Sequence, residues 1–385
     1  MNDSLIYLDH AAATPLDERV LRVMQPYMTD QFYNPSSPYA PALAVRHDYE
    51  AAKDAIAHSI GGRGTELIMT AGATESINLA FAGIDGHVII PEIEHHAVRA
   101  VAERYPHTYV PVDERGRVSP DHIAAAILPE TELVSVALAN NEIGTVQPLR
   151  EIAAVIDHER QMRRSRGDVR PINLHTDASQ GIGMLDVHVA RLGVDMLTLN
   201  AGKVYGPKQV GALWVSPRVQ MRPLVVGGGQ ERGLRSGTEN VAGAIGFAEA
   251  LRLSEKKRRG EAERLRDIRD AMQRHLTEQF PQAVISGHLK HRLPAILHIS
   301  FPMIDAERVL FSLEARGVLV ATGSACAANK GTRSHVLTAI GLTPEVADGS
   351  IRISLGRLST PEQGDVATQI IREVVAAEYE RMERR

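Results

Sequence analysis

Cys326 is the only cysteine in the chain, so an intramolecular disulfide and a cysteine-rich zinc site are both excluded. A lone cysteine is most often a small buried hydrophobe, and only its neighbours can assign it another task. Positive charge is not in excess: the formal net charge is -4, which argues against a dedicated nucleic-acid surface, and no direct nucleic-acid binding is expected. No apolar run approaches the roughly 20 residues that a membrane span needs, so no membrane partner is expected. The N-terminus enters a strand-like stretch, Ile6-Tyr7-Leu8, without a basic region or an apolar signal core. A cytoplasmic enzyme is the simplest reading. Aromatics are scarce, and internal repeats and low-complexity segments are missing. With 385 residues the chain is long for one core, and two domains are expected.

What is present turns on Leu199-Asn200-Ala201-Gly202-Lys203-Val204-Tyr205-Gly206-Pro207-Lys208. The apolar run 194–199 reads as a buried strand, and 211–215 reads as a second one after a Gly-Pro turn. Lys203 stands on the loop between them. Burial there disfavours the ammonium and depresses its pKa, which makes a lysine fit for Schiff-base chemistry. A surface lysine in a hairpin loop is the alternative reading of the same residues. A phosphate-binding P-loop is excluded, because Val204 follows the lysine where Ser or Thr belongs.

Strand and helix signals alternate from Leu67 to Thr176, which predicts an α/β fold with a mostly parallel sheet. Such sheets bind ligands beyond the carboxyl ends of their strands, and His95, Asn141, Asp177 and Lys203 all follow predicted strands. Ala73 and Thr74 lie in the turn that opens a helix, with Thr74 expected as its N-cap; free backbone N–H groups there suit a phosphate. No G-x-G-x-x-G follows an early strand, so a dinucleotide site is not expected. The basic group Arg160, Arg163, Arg164 and Arg166 reads as a helix C-terminus with solvated charges. Composition changes near Ser254, where a charged amphipathic helix begins. We expect a large domain over 15–254 and a smaller α+β domain over 1–14 and 255–385, the latter carrying Cys326. The last helix is expected to open at Thr360 with a Thr-Pro-Glu-Gln capping box.

Five motifs stand in order: Tyr7-Leu8-Asp9-His10-Ala11-Ala12-Ala13-Thr14-Pro15, Gly72-Ala73-Thr74-Glu75-Ser76-Ile77-Asn78, Asn140-Asn141-Glu142-Ile143-Gly144, the run from Gly228 to Asn240, and Gly323-Ser324-Ala325-Cys326. Together they resemble the cysteine desulfurases, pyridoxal 5'-phosphate (PLP) enzymes of the fold-type I aminotransferase class, from Ile6 to about Thr360. The resemblance implies a large domain with a seven-stranded sheet, a homodimer, and conversion of L-cysteine to L-alanine. The sulfur would pass to an enzyme persulfide and then to an acceptor protein.

The resemblance also assigns roles. Lys203 would form the Schiff base and take the Cα proton. Asp177 would pair with the pyridinium nitrogen, Gln180 with the phenolic oxygen, and His95 would stack on the ring and serve in proton transfer. Ala73, Thr74 and Asn200 fall at the phosphate cup, with Thr238 supplied by the partner subunit. Asn141 and Arg352 would hold the substrate, and Cys326 would receive its sulfur on a segment suited to movement. Two positions depart from the family pattern: Asn200 replaces a short hydroxyl, and Gly202 replaces a histidine that donates to the cofactor phosphate. A selenocysteine or C–S lyase on the same scaffold, and a catalytically silent sulfur-transfer scaffold, are the alternatives. The acceptor pathway stays open among iron–sulfur assembly, tRNA thiolation and DNA phosphorothioation.

Overall fold

The computed structural model describes residues 5–322 and 333–384, so the expectations for Cys326 and its segment fall outside the described residues. Among the described residues thirteen strands, β1 to β13, fall into three sheets. The central seven-stranded sheet has the order β2-β8-β7-β6-β5-β3-β4. Its members are β2 (Leu67–Thr70), β3 (His87–Pro91), β4 (His107–Val110), β5 (Thr131–Ser135), β6 (Asn173–Asp177), β7 (Met196–Asn200) and β8 (Gly211–Val215). All run parallel except β8, which is antiparallel to both its neighbours β2 and β7. The sheet is buried on both faces, as coverage by helices demands: β2, β3 and β8 are buried at every position.

The smaller sheet, of order β12-β13-β10-β9, is antiparallel and built from β9 (Val284–Ser286), β10 (Ile296–Ser300), β12 (Ala321–Thr322) and β13 (Ser350–Ser354). The chain divides between two sheets after Gly317: β11 (Val318–Leu319) pairs in parallel with β1 (Ile6–Tyr7), and β12 turns to pair with β13. One hydrophobic core gathers Val20, Ile56, Val134, Leu199 and Phe247 around the large sheet; a second gathers Leu8, Leu265, Met272, Ile299 and Ile353 around the small one. The helix Val241–Gln279, 39 residues long, supplies side chains to both. Composition alone placed the change at Ser254, which lies within this continuous helix, because the solvent-facing residues change there and the backbone does not.

Local chemistry explains most element ends. Thr360 and Gln363 close the expected capping box at the start of the helix Pro361–Glu383. Thr74 is not an N-cap. The helix runs Ala73–Phe81 and its cap is Gly72, at φ 136°, a conformation that glycine alone adopts without strain; this lets the helix begin earlier than a threonine cap would. Arg160 and Arg163 are spent internally, on Asp157, Asp195 and Glu159 and on backbone carbonyls, which removes them from any binding patch.

Candidate active site

Because β8 returns antiparallel beside β7, the loop between them, residues 201–210, is a hairpin connection at the carboxyl edge of the parallel strands. It opens as a turn of 3-10 helix, Ala201–Lys203, and its later residues Tyr205 and Gln209 take positive φ. The same edge carries Asp177 at the end of β6, the residues after β5, His95 after β3, and the N-terminus of the helix Ala73–Phe81 after β2. A cavity of about 280 Å³ opens there, lined by Ala73, Thr74, His95, Asn141, Asp177, Gln180, Asn200, Lys203 and Arg352. These are the sequence-predicted site residues, collected from segments far apart in the chain. Thr238 is the described exception: it is solvent-exposed and is not part of the cavity wall.

The electrostatics are those of a site that handles protons. Lys203 Nζ donates to the carbonyls of Ala11 at 2.7 Å and Ala12 at 2.8 Å. Burial, and then the nearby charge of Arg352, push its pKa below the usual lysine range. His95 caps the helix His96–Ala102, its Nδ1 accepting from Ala97 N at 3.1 Å. His95 is exposed where it lines the cavity mouth, and desolvation lowers its pKa below the usual histidine value, so the imidazole is neutral at pH 7. Asp177 Oδ1 accepts from Ser179 N at 2.9 Å. Gln180 Nε2 donates to Ala11 O at 3.1 Å. Arg352, on β13, donates through Nη1 to Asn141 O at 3.0 Å and through Nη2 to Asp9 Oδ1 at 2.6 Å.

Several groups escaped the reading of the sequence. Ala11 and Ala12 line the cavity, as do Glu142 and His335. Glu142 accepts from Ser334 Oγ at 2.6 Å, and burial lifts its pKa to about 7. His335 bonds the Glu94 carbonyl through Nε2 at 2.9 Å; since a carbonyl only accepts, that nitrogen carries the proton. The N-terminal motif was visible as a sequence, but its arrival beside Lys203 depends on the β1–β11 pairing, which joins residues more than three hundred positions apart.

A family model for class-V aminotransferases matches residues 6–366. Cysteine desulfurase IscS 1 of Archaeoglobus fulgidus is 39% identical over 381 residues, covering 96% of each chain. The chain belongs to the cysteine desulfurase family of class-V aminotransferases. Among solved structures, a NifS-like protein has a TM-score of 0.87 at 32% identity, covering 97% of this chain and 99% of its own. SspA in complex with cysteine has a TM-score of 0.77 at 34% identity, covering 91% of this chain and 98% of its own. This family uses PLP.

The cavity's donor set fits that cofactor. A carboxylate at the end of β6, an amine on the β7–β8 hairpin and an imidazole at the mouth share one space with a helix N-terminus. The first turn of that helix leaves its own N–H groups without intrahelical acceptors, the arrangement that receives a phosphate. The grip is thinner at Asn200. Its Oδ1 accepts from Gly202 N at 3.0 Å, so the glycine N–H is already committed to its neighbour. Among the described residues no group of three or more His, Cys, Asp or Glu side chains could hold a metal ion, and no helix is long and apolar enough to cross a membrane.

Proposed function

We propose that the chain is an L-cysteine desulfurase: L-cysteine and the enzyme thiol of Cys326 give L-alanine and a Cys326 persulfide. One observation carries the reading. Lys203, Asp177, His95 and Arg352 converge on a single cavity in a chain whose relatives are cysteine desulfurases. Bound PLP supplies the electron sink for the substrate's Cα. Asp177 and Gln180 hold its ring, and the Ala73–Thr74 turn with Asn200 holds its phosphate.

The chain's own groups do the rest. Arg352 receives the α-carboxylate, with Asn141 beside it. Lys203, its ammonium disfavoured by burial, moves the Cα proton. His95 is neutral and stands at the mouth, where it exchanges protons with the reacting groups. The Cys326 thiolate takes the substrate sulfur as the C–S bond breaks; Cβ gains a proton, and the sulfur leaves as persulfide for an acceptor protein.

The active form in this reading is a cytoplasmic homodimer, in which the partner's copy of the 228–240 segment brings Thr238 to the phosphate. The proposed division is a large cofactor domain over 15–254 and a small one over 1–14 and 255–385. Cys326→Ser tests the chemistry. Cofactor content should be unchanged while L-alanine formation from L-cysteine is abolished; turnover that survives the substitution would make the protein a C–S lyase.

A further inference from the structure

We propose that Asp9 is the positioning residue that aims the Arg352 guanidinium at the α-carboxylate of the substrate, an inference that rests on the reading of Arg352 as the carboxylate-binding group. Arg352 lies mid-strand on β13, opposite His298 of β10 and Ala321 of β12, and only 3% of it is exposed. A buried arginine has a long stem and needs fixed acceptors to hold one plane. Here there are two, one for each terminal nitrogen: Asn141 O on Nη1 and Asp9 Oδ1 on Nη2. A guanidinium has two N–H groups on each terminal nitrogen, so each keeps one N–H to offer a carboxylate, and Nε is buried without a partner among the described residues. His298 is wholly buried and its desolvation keeps the ring neutral, so it adds no competing charge behind the arginine.

Asp9 is itself held in place by bonds along its own turn. It bridges in parallel to Ser354, two residues beyond Arg352 on the same strand. Tyr7 Oη lies 2.8 Å from the carbonyls of both Asp9 and Ala13 and shares its one proton between them, clamping the turn. Ala11 N, further along that turn, donates to Ser354 Oγ at 3.0 Å. The turn that fixes Asp9 on Arg352 is also the one whose Ala11 and Ala12 carbonyls receive Lys203. Asp9 therefore acts on both cations of the cavity. It neutralises Arg352 by direct contact, and its charge favours the protonated form of Lys203, opposing Arg352; Asp177 acts on Lys203 in the same sense as Asp9, and Lys208 in the opposite one.

The test uses the cofactor-loaded enzyme with Asp9→Ala and Asp9→Asn, and Arg352→Ala as reference. Steady-state kinetics with L-cysteine should show KM raised about tenfold in Asp9→Ala, the scale of one charge-assisted hydrogen bond, with kcat within about threefold. Asp9→Asn, which keeps an acceptor oxygen of the same shape, should fall between wild type and Asp9→Ala. The pH midpoint of the enzyme's visible absorption should move down in both Asp9 variants, because an anion near Lys203 is gone. Combining Asp9→Ala with Arg352→Ala should add nothing to the KM of Arg352→Ala alone. If Arg352→Ala raises KM and Asp9→Ala does not, the role of Asp9 is overturned while that of Arg352 stands. If Arg352→Ala leaves KM unchanged, the reading of Arg352 itself is wrong. A fall in kcat of equal size in both Asp9 variants, without a change in KM or in the absorption midpoint, would reduce Asp9 to a structural residue and overturn the proposal.

Discussion

Glu94 is a buried carboxyl with one oxygen accepting from Ala137 N at 2.7 Å and the other without a partner among the described residues. Desolvation raises its pKa to about 8, so it holds a proton in the folded state at pH 7 and gives it up on unfolding. The native state then binds more protons than the unfolded one between the ordinary glutamate value and about pH 8. This contribution to stability is complete below that window and is lost as pH rises through it. The buried histidines act with the opposite sign. Burial lowers His175 to about 4 and His298 to about 3, so they cost stability on the acid side of the ordinary histidine value. Glu94→Gln reproduces the neutral carboxyl's shape without a proton to lose. Relative to wild type, its melting temperature should be clearly more favourable at pH 8 than at pH 5, by a difference on the order of several kcal/mol in stability. A pH-independent difference between the two proteins would mean that Glu94 is ionised in the fold.

In the proposed reading cofactor retention depends on the β7–β8 hairpin, where the resemblance implies a histidine at the position of Gly202. A Cβ at that position would meet Asn200 Oδ1 at 3.4 Å and Lys208 at 3.9 Å, both ordinary contacts, so a side chain fits. Gly202→His adds a donor beside a phosphate site whose glycine N–H is already taken by Asn200. A bond to a charged group is worth roughly 1.5–3 kcal/mol, so PLP loss on dialysis against a scavenger should slow by about tenfold. Loss at the same rate or faster would show that the grip is completed by other groups. The hairpin was legible in the sequence because its two apolar runs and its Gly-Pro turn are local signals. So were β6 and the loop holding His95, where apolar runs end at polar residues. Gly72 was misread because a threonine two positions on offered the more familiar cap. Asp9, Glu142 and His335 were invisible as site residues for a different reason: the first meets Arg352 through a long-range bridge to Ser354, and the other two line the cavity through contacts of residues 334–335 with the loops after β5 and β3. Neither leaves a local periodicity.

At the scale of the whole molecule, the helix Val241–Gln279 ties the two cores into one structure, and the cavity lies where the β7–β8 hairpin meets the β13 strand. Thr238, exposed and outside its own cavity, has a cofactor role only if a second copy carries it to a neighbouring site. Thr238→Val should therefore speed PLP loss in a protein that sediments as a dimer. A monomer that retains PLP as wild type does would remove both the dimer and that role. The proposed reaction makes one stoichiometric demand on the chain: each L-alanine released before any acceptor is added must leave one sulfur atom on Cys326. The decisive measurement is mass analysis of the protein after a single turnover with L-cysteine and no acceptor or reductant, with peptide mapping of the added mass. One extra sulfur, on the peptide containing Cys326 and equal in amount to the L-alanine formed, is the predicted result. L-alanine formed with free sulfide and no sulfur on Cys326 would contradict it.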